Sequence, residues 1–252
     1  MKISKPAEEH IPQLRELWKE AFGDSDSFLD DFFTTAFSKD RSRCVTDNGR
    51  VAAMLYWFDC EFGGRKIAYI YAVATAVSHR GQGICGRLMD DTHSLLRKLG
   101  YEGAILVPGS ESLFSFYGRM GYRTCCFAEK FTCKGNSTEV TLTQIGKDEY
   151  ARLRRGYLPE NAVIQEKENL SFLETQADFF KGEDFIMCSY TEDGRLTCVE
   201  LLGNKEAASG IVSAFGCADG SFFTVGNEVP FAMYLPFDNS DSYPTYFGLA
   251  FN

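Results

Sequence analysis

The stretch that most constrains this chain runs Tyr69-Ile70-Tyr71-Ala72-Val73-Ala74-Thr75, then Ala76-Val77-Ser78-His79-Arg80-Gly81-Gln82-Gly83, then Ile84-Cys85-Gly86-Arg87-Leu88. Its aromatic and β-branched residues up to Thr75 predict a strand, and the run from about Ile84 to Leu99 predicts a helix closed by Gly100. Between them lies a glycine-rich turn. Unpaired backbone N–H groups converge at such a junction, and the helix dipole adds positive potential, so the turn can cradle a phosphate. Gly81, Gly83 and Gly86 let the main chain approach a diphosphate with no Cβ in the way. Arg80 can seat the loop or add charge. Taken alone, the glycines fit equally well a turn that serves only its own geometry.

The remaining pattern surrounds this unit with alternating strands and helices. Ile3 to Pro6 reads as a short strand, and His10 to Phe22 as a helix with Ile11, Leu14, Leu17, Trp18 and Ala21 on its apolar face. Ser27 to Phe37 reads as a second amphipathic helix with Ser27 as its N-cap. Arg43–Asp47, Val51–Phe62 and Lys66–Thr75 read as strands joined by turns at Asn48-Gly49 and Gly63-Gly64. A buried strand at Gly103–Pro108, a helix from Ser110 to Met120 and strand structure from Tyr122 to Cys133 complete this half. Lys134 to Thr138 is a polar break, which places a boundary at about residue 136.

The second half repeats the order more weakly. A strand at Glu139–Ile145 precedes helices near Lys147–Gly156 and Gln165–Phe180. Strands at Asp184–Thr191 and Arg195–Leu202, a helix near Lys205–Phe215, and strands at Ser221–Val225, Pro230–Phe237 and Tyr246–Phe251 follow. No equivalent of the glycine-rich turn appears there.

Composition narrows the function classes. No run of about 18 apolar residues is present, and the charged N-terminus leads into no apolar segment, so neither a membrane span nor a secretory signal is expected and the cytoplasm is the expected location. The formal net charge of −9 argues against nucleic acid as a partner. It mildly favours a cationic substrate. Nine cysteines, an odd number without a Cys-x-x-Cys pair, and three histidines make a poor zinc site, so no metal is expected. The cysteines read as small buried hydrophobes in a reduced compartment.

Arg80-Gly81-Gln82-Gly83-Ile84 resembles the acetyl-CoA-binding motif of the GNAT superfamily of N-acetyltransferases. Leu113-Phe114-Ser115-Phe116-Tyr117-Gly118-Arg119-Met120-Gly121-Tyr122 resembles a second motif of that family at the expected distance. Its wording is nearest to the enhanced-intracellular-survival group of aminoglycoside-acetylating enzymes. Two departures are visible: Cys85 takes the position of a small Gly or Ala, and Val77 stands where many members carry proline.

The resemblance implies an α/β fold with a mixed sheet, a GNAT domain over 1–136, and a degenerate, smaller GNAT-like α/β domain over 137–252. The second domain would contribute to the acceptor site or an interface. The co-substrate would be acetyl-CoA and the acceptor an amine on a small molecule or peptide. Val73, Ala74 and Thr75 would hold the pantetheine through their main chain. Arg80, Gly81, Gln82, Gly83, Ile84, Cys85 and Gly86 would hold the diphosphate. Ser110 would reach the pantetheine from the next strand's end, and Tyr117 would protonate the departing thiolate. A base is not assigned: Asp59, Glu61, His79 and Glu111 are the candidates, and the acceptor could also arrive deprotonated. The run Asp238-Asn239-Ser240-Asp241 could draw an amine to the rim. A catalytically silent acyl-CoA-binding or partner-binding protein is the rival reading, and a transferase using an aminoacyl-tRNA donor a third. Self-association is left open, since edge-strand pairing leaves no trace in one sequence.

Overall fold

The computed structural model describes residues 1–238 and 240–251. It opens with β1 (Lys2–Ser4), α1 (Ile11–Phe22) and α2 (Asp26–Thr35), and continues with β2 (Ser42–Asp47), β3 (Arg50–Phe62) and β4 (Arg65–Thr75). Then come α3 (Ile84–Lys98), β5 (Gly103–Leu106), α4 (Glu111–Gly118) and β6 (Arg123–Lys134). The second half supplies β7 (Thr143–Ile145), α5 (Lys147–Tyr157), β8 (Ile164–Gln165), α6 (Glu168–Leu173) and β9 (Asp178–Lys181). It ends with β10 (Phe185–Glu192), β11 (Arg195–Gly203), α7 (Ala208–Ala214), β12 (Asp219–Val225) and β13 (Val229–Pro236).

This is a mixed α/β fold built on one continuous sheet, ordered β1-β2-β3-β4-β5-β13-β6-β12-β11-β10-β9-β7, with β8 pairing the outer part of β3. The strand that closes the first half is borrowed from the second: β13 lies antiparallel between β5 and β6, pairing Tyr234 with Ile105 on one side and with Arg123 on the other. The two halves also repeat a local pattern. β3, β4, α3 and β5 are matched by β10, β11, α7 and β12, and in both units the second and third strands run parallel. The first pair stops at Tyr69 opposite Ile105, whereas the second is still paired at Leu201 opposite Thr224, where the Thr224 hydroxyl donates to the Leu201 carbonyl at 2.7 Å. Only the first pair opens.

α1 forms because Leu14, Leu17 and Trp18 fall on one buried face, and it ends where Gly23 enters the left-handed region. Ser25, not Ser27, is the N-cap of α2: it is extended at φ −71°, ψ 161°, and its hydroxyl accepts from the Phe28 N–H at 3.1 Å. Ser27 already lies within the first turn. The expected helix over 165–180 is a strand, a short helix and a strand. Lys167 takes φ +54° and breaks the chain direction before α6, and Phe179 is drawn into the sheet opposite Cys188. The expected strand over 139–145 is confined to Thr143–Ile145.

The expected strand at Tyr246–Phe251 is instead a strap crossing the sheet, held largely by side chains. The Val163 N–H donates to the Tyr246 carbonyl at 2.9 Å, and the Gln165 amide clasps both the N–H and the carbonyl of Leu249. Beneath the strap, Arg154 (2% exposed) donates through Nε at 2.7 Å and Nη2 at 2.9 Å to Glu200 (0% exposed). Tyr150 and Tyr246 add hydroxyl donors to the same carboxylate. Gly248 fits only because it has no side chain: a Cβ there would lie 1.8 Å from Glu200 Oε1. Breaking a buried pair by removing one partner leaves the other charge unsolvated. Glu200→Ala is expected to lower the unfolding free energy by about 3–5 kcal/mol, measured by urea titration.

All nine cysteines are free. Among the described residues no helix is long and apolar enough to cross a membrane.

Candidate active site

The site begins at a flaw in a strand. β3 and β4 pair Tyr56 with Tyr71 but Met54 with Ala74, so β4 carries one extra residue there, and Ala72 takes φ +49°. A non-glycine residue in the left-handed region is strained by about 1–2 kcal/mol and marks a bulge that bends the strand. Just before it, the β4–β5 ladder ends. From Tyr71 to Thr75 the strand therefore runs on with its β5 side free.

Beyond Thr75 the chain makes a single 3₁₀ turn over Val77–His79 and enters the glycine-rich turn. Side chains tie down the carbonyls of this segment. Arg80 Nε donates to the Thr75 carbonyl at 3.0 Å, Gln82 Nε2 to the Ser78 carbonyl at 3.3 Å, and Arg87 Nη1 to the Gln82 carbonyl at 3.2 Å. Glu20 on α1 accepts from the Val77 N–H at 2.7 Å. Gly81 and Gly83 adopt φ +74° and +70°, which makes glycine the residue of choice at both. The outcome is electrostatic. The N–H groups of Gly81, Gln82, Gly83, Ile84, Cys85 and Gly86 have no acceptor among the described residues. Six consecutive donors at the start of a 15-residue helix make a strong anion cradle.

A cavity of about 560 Å³ lies against them, lined by Val73, Ala74, Thr75, Arg80, Gly81, Gly83, Ile84, Cys85, Gly86 and Tyr117, together with residues of α1 and α4. Ten of the twelve cofactor-binding and catalytic residues expected from sequence thus share one cavity. Gln82 does not line it. Ser110, the N-cap of α4, does not line it either; its hydroxyl sits 3.1 Å from that of Ser112. Cys85 is no candidate nucleophile, because burial pushes its thiol up to about 11 and keeps it protonated.

A second recess of about 290 Å³ shares Phe22, Val73, Leu113 and Tyr117 with the first and extends toward Trp18, Asp24, Tyr69, Tyr71 and Phe251. Tyr117 (7% exposed) therefore stands where the two meet. Its hydroxyl makes no hydrogen bond within the described residues, and burial, with the Cys85 side chain beside it, holds its phenol well above the usual tyrosine range. It is a proton donor throughout the neutral range.

Of the four base candidates considered from sequence, the three carboxylates lie elsewhere and His79 alone lines the larger cavity. Asp59 accepts from the Tyr101 hydroxyl and, with Glu61, faces a separate recess containing Arg155 and Glu166. Glu111 is exposed on the first turn of α4. His79 does line the larger cavity, beside the turn, where its Nε2 lies 3.5 Å from Asp47. Asp238 pairs with Arg65 at 3.7 Å, and Asn239 of that run lies outside the described residues.

The carboxylate of the smaller recess is Asp24, which sequence reasoning missed. It sits in the three-residue link between α1 and α2 and accepts from Trp18 Nε1 at 2.7 Å. Nothing in its sequence surroundings distinguishes it from the neighbouring Asp26, Asp30 and Asp31. Phe251 was missed as a wall of this recess because it arrives on the strap.

Residues 2–125 match the family model described as an acetyltransferase (GNAT) domain. Residues 2–125, just under half of the chain, are thus similar to a GNAT acetyltransferase domain. Nearly the whole chain shares the fold of larger GNAT proteins. It is similar to a GCN5-related N-acetyltransferase from Kribbella flavida (18% identity, 94% of this chain and 71% of that one, TM-score 0.73). It is also similar to one from Anabaena variabilis (14% identity, 92% and 72%, TM-score 0.71) and to Eis1 from Mycobacterium abscessus (10% identity, 94% and 74%, TM-score 0.68). No curated protein matches.

Proposed function

We propose that this protein is an N-acyltransferase that moves an acetyl group from acetyl-CoA to a primary amine by direct attack on the thioester. The observation that carries the reading is the row of acceptor-free amides from Gly81 to Gly86, opening on the cavity that Tyr117 lines. A diphosphate supplies the oxygens those donors lack. Arg80, tied to Thr75, shapes the turn. The pantetheine then lies beside Val73, Ala74 and Thr75 where the ladder has ended. The Val73 amide is assigned to polarise the thioester carbonyl.

In the reaction the acceptor nitrogen bonds to the acetyl carbon and the C–S bond breaks. The nitrogen, now positively charged, sheds its surplus proton to water, while Tyr117 gives its proton to the departing thiolate and regains one from solvent. The acceptor arrives as an ammonium held by Asp24 and loses its proton to water there before attack. Residues 1–136 hold the co-substrate, and residues 137–252, read as a second GNAT-like unit, supply Phe251 to the acceptor side. Motif wording favours a place near the enhanced-intracellular-survival group. The expected setting is the cytoplasm.

Calorimetry with acetyl-CoA and a thiol-release assay over an amine panel test this reading. A folded protein that takes up no acetyl-CoA would end it. The pH profile adds a signed prediction. A raised tyrosine pKa means that the donor form is present at all lower pH values and is lost only as pH climbs through the raised value. Accordingly kcat/KM should rise with pH as the acceptor amine deprotonates, then level off, with no descending limb below about pH 10.

A further inference from the structure

The smaller recess has one charged side chain among its described lining residues, Asp24, set in an aromatic wall. Trp18, Phe22, Phe28, Tyr69, Tyr71 and Phe251 make that wall. Their rings are in mutual contact: Trp18 lies 5.7 Å from Phe22, 6.3 Å from Phe28 and 5.6 Å from Tyr71, while Phe251 lies 5.9 Å from Tyr69 and 5.5 Å from Tyr71. Phe22 is 46% exposed at the mouth, whereas Trp18 is buried. One oxygen of Asp24 accepts from Trp18, which leaves the second free for a ligand donor.

We infer that the acceptor is a small amine with a single positive charge and an aromatic or apolar body, an arylalkylamine in chemical terms, and not a polycation such as a polyamine or an aminoglycoside. The inference rests on the transferase reading for the identity of the recess, and names the substrate class it takes. One ammonium finds one carboxylate and ring faces that attract cations. Each further ammonium would be brought among the rings with no second carboxylate of the described lining residues to meet it, which penalises it steeply. Among the described residues of the adjoining recess the second carboxylate a long polyamine could reach is Glu192, which is exposed, so water screens it.

Phe251 sets the apolar side of this selectivity. It closes the recess from the strap, packed between Phe58 at 4.8 Å and Phe172 at 5.1 Å, and the strap is fixed in turn by Gln165 and by the buried Glu200.

Direct titration of the protein with 2-phenylethylamine, spermidine and kanamycin, each with and without saturating coenzyme A, tests the proposal independently of turnover. 2-Phenylethylamine should bind roughly tenfold or more tightly than either polycation, and Asp24→Asn should weaken it by about tenfold or more. Phe251→Ala should narrow the preference over spermidine. Spermidine or kanamycin binding as tightly as 2-phenylethylamine to the wild-type protein, or no detectable binding of 2-phenylethylamine, would overturn it. Selective amine binding without any acetyl-CoA-dependent thiol release would remove the transferase reading and leave the recess assignment standing.

Discussion

Gly83→Glu should abolish coenzyme A binding, by about a hundredfold or more in affinity, while leaving the protein folded. Gly83 holds φ +70° as the N-cap of α3, so any side chain there costs about 1–2 kcal/mol of strain. Space is not the obstacle, since the nearest atom to a Cβ at this position would be Arg87 Nη1 at 3.9 Å. A carboxylate placed at this point does two things at once. It can accept from the free amides of the first turn of α3, and it sets negative charge where a diphosphate must lie. Anions at a helix N-terminus are favourable, so the substitution returns part of the strain energy to the fold. Stability and binding are thereby separated: calorimetry with coenzyme A should register no heat, and the urea midpoint should shift little. Gly83→Ala is the control. It carries the same strain without the charge and should weaken binding far less. Unchanged affinity in Gly83→Glu would mean that the six amides serve no diphosphate.

Much of this site was legible because its chemistry is local in sequence. The strand, turn and helix over 66–99 are contiguous, the glycines at 81 and 83 announce their backbone conformation, and Tyr117 lies in a helix with its own signature. What could not be read arises from contacts between distant segments. β13 enters between β5 and β6, yet a strand pattern at 230–237 is the same wherever it pairs. The strap at 246–251 has the composition of a strand, and only the placement of Gln165 and Glu200 beneath it determines that its hydrogen bonds go to side chains.

Two further features left no mark at all. Ala72 takes a left-handed backbone conformation without a glycine or asparagine to signal it, because the surrounding sheet imposes the bulge. Asp24 is one acidic residue among several on and around α2, and it becomes special only because Trp18 turns its indole N–H toward it. Two of the four base candidates, Asp59 and Glu61, share one face of β3 but line the recess that holds Arg155, a placement that their alternation alone does not reveal.

Tyr117→Phe is expected to lower kcat by about 10²–10³-fold with coenzyme A affinity changed by less than about threefold. The phenol is buried to 7% exposure where the co-substrate cavity meets the acceptor recess, and its ring packs on Phe116 at 5.2 Å and Tyr122 at 5.9 Å. These ring contacts survive the substitution, so the helix and both cavities should keep their shape. Only the hydroxyl is lost, and it has no partner among the described residues whose satisfaction could be disturbed. Its raised pKa makes it a poor acid in the ground state, but a thiolate leaving the thioester is strongly basic relative to the thioester sulfur. The proton therefore becomes useful only as the C–S bond breaks. A contribution confined to that moment lowers kcat and kcat/KM together and spares binding. The leaving group offers the decisive check. With a thioester of a more acidic thiol, which departs without help, the deficit of Tyr117→Phe should shrink several-fold, whereas a residue that merely packs would show the same deficit with both donors. Full activity in Tyr117→Phe with acetyl-CoA would remove the tyrosine from the mechanism and leave the thiolate to solvent.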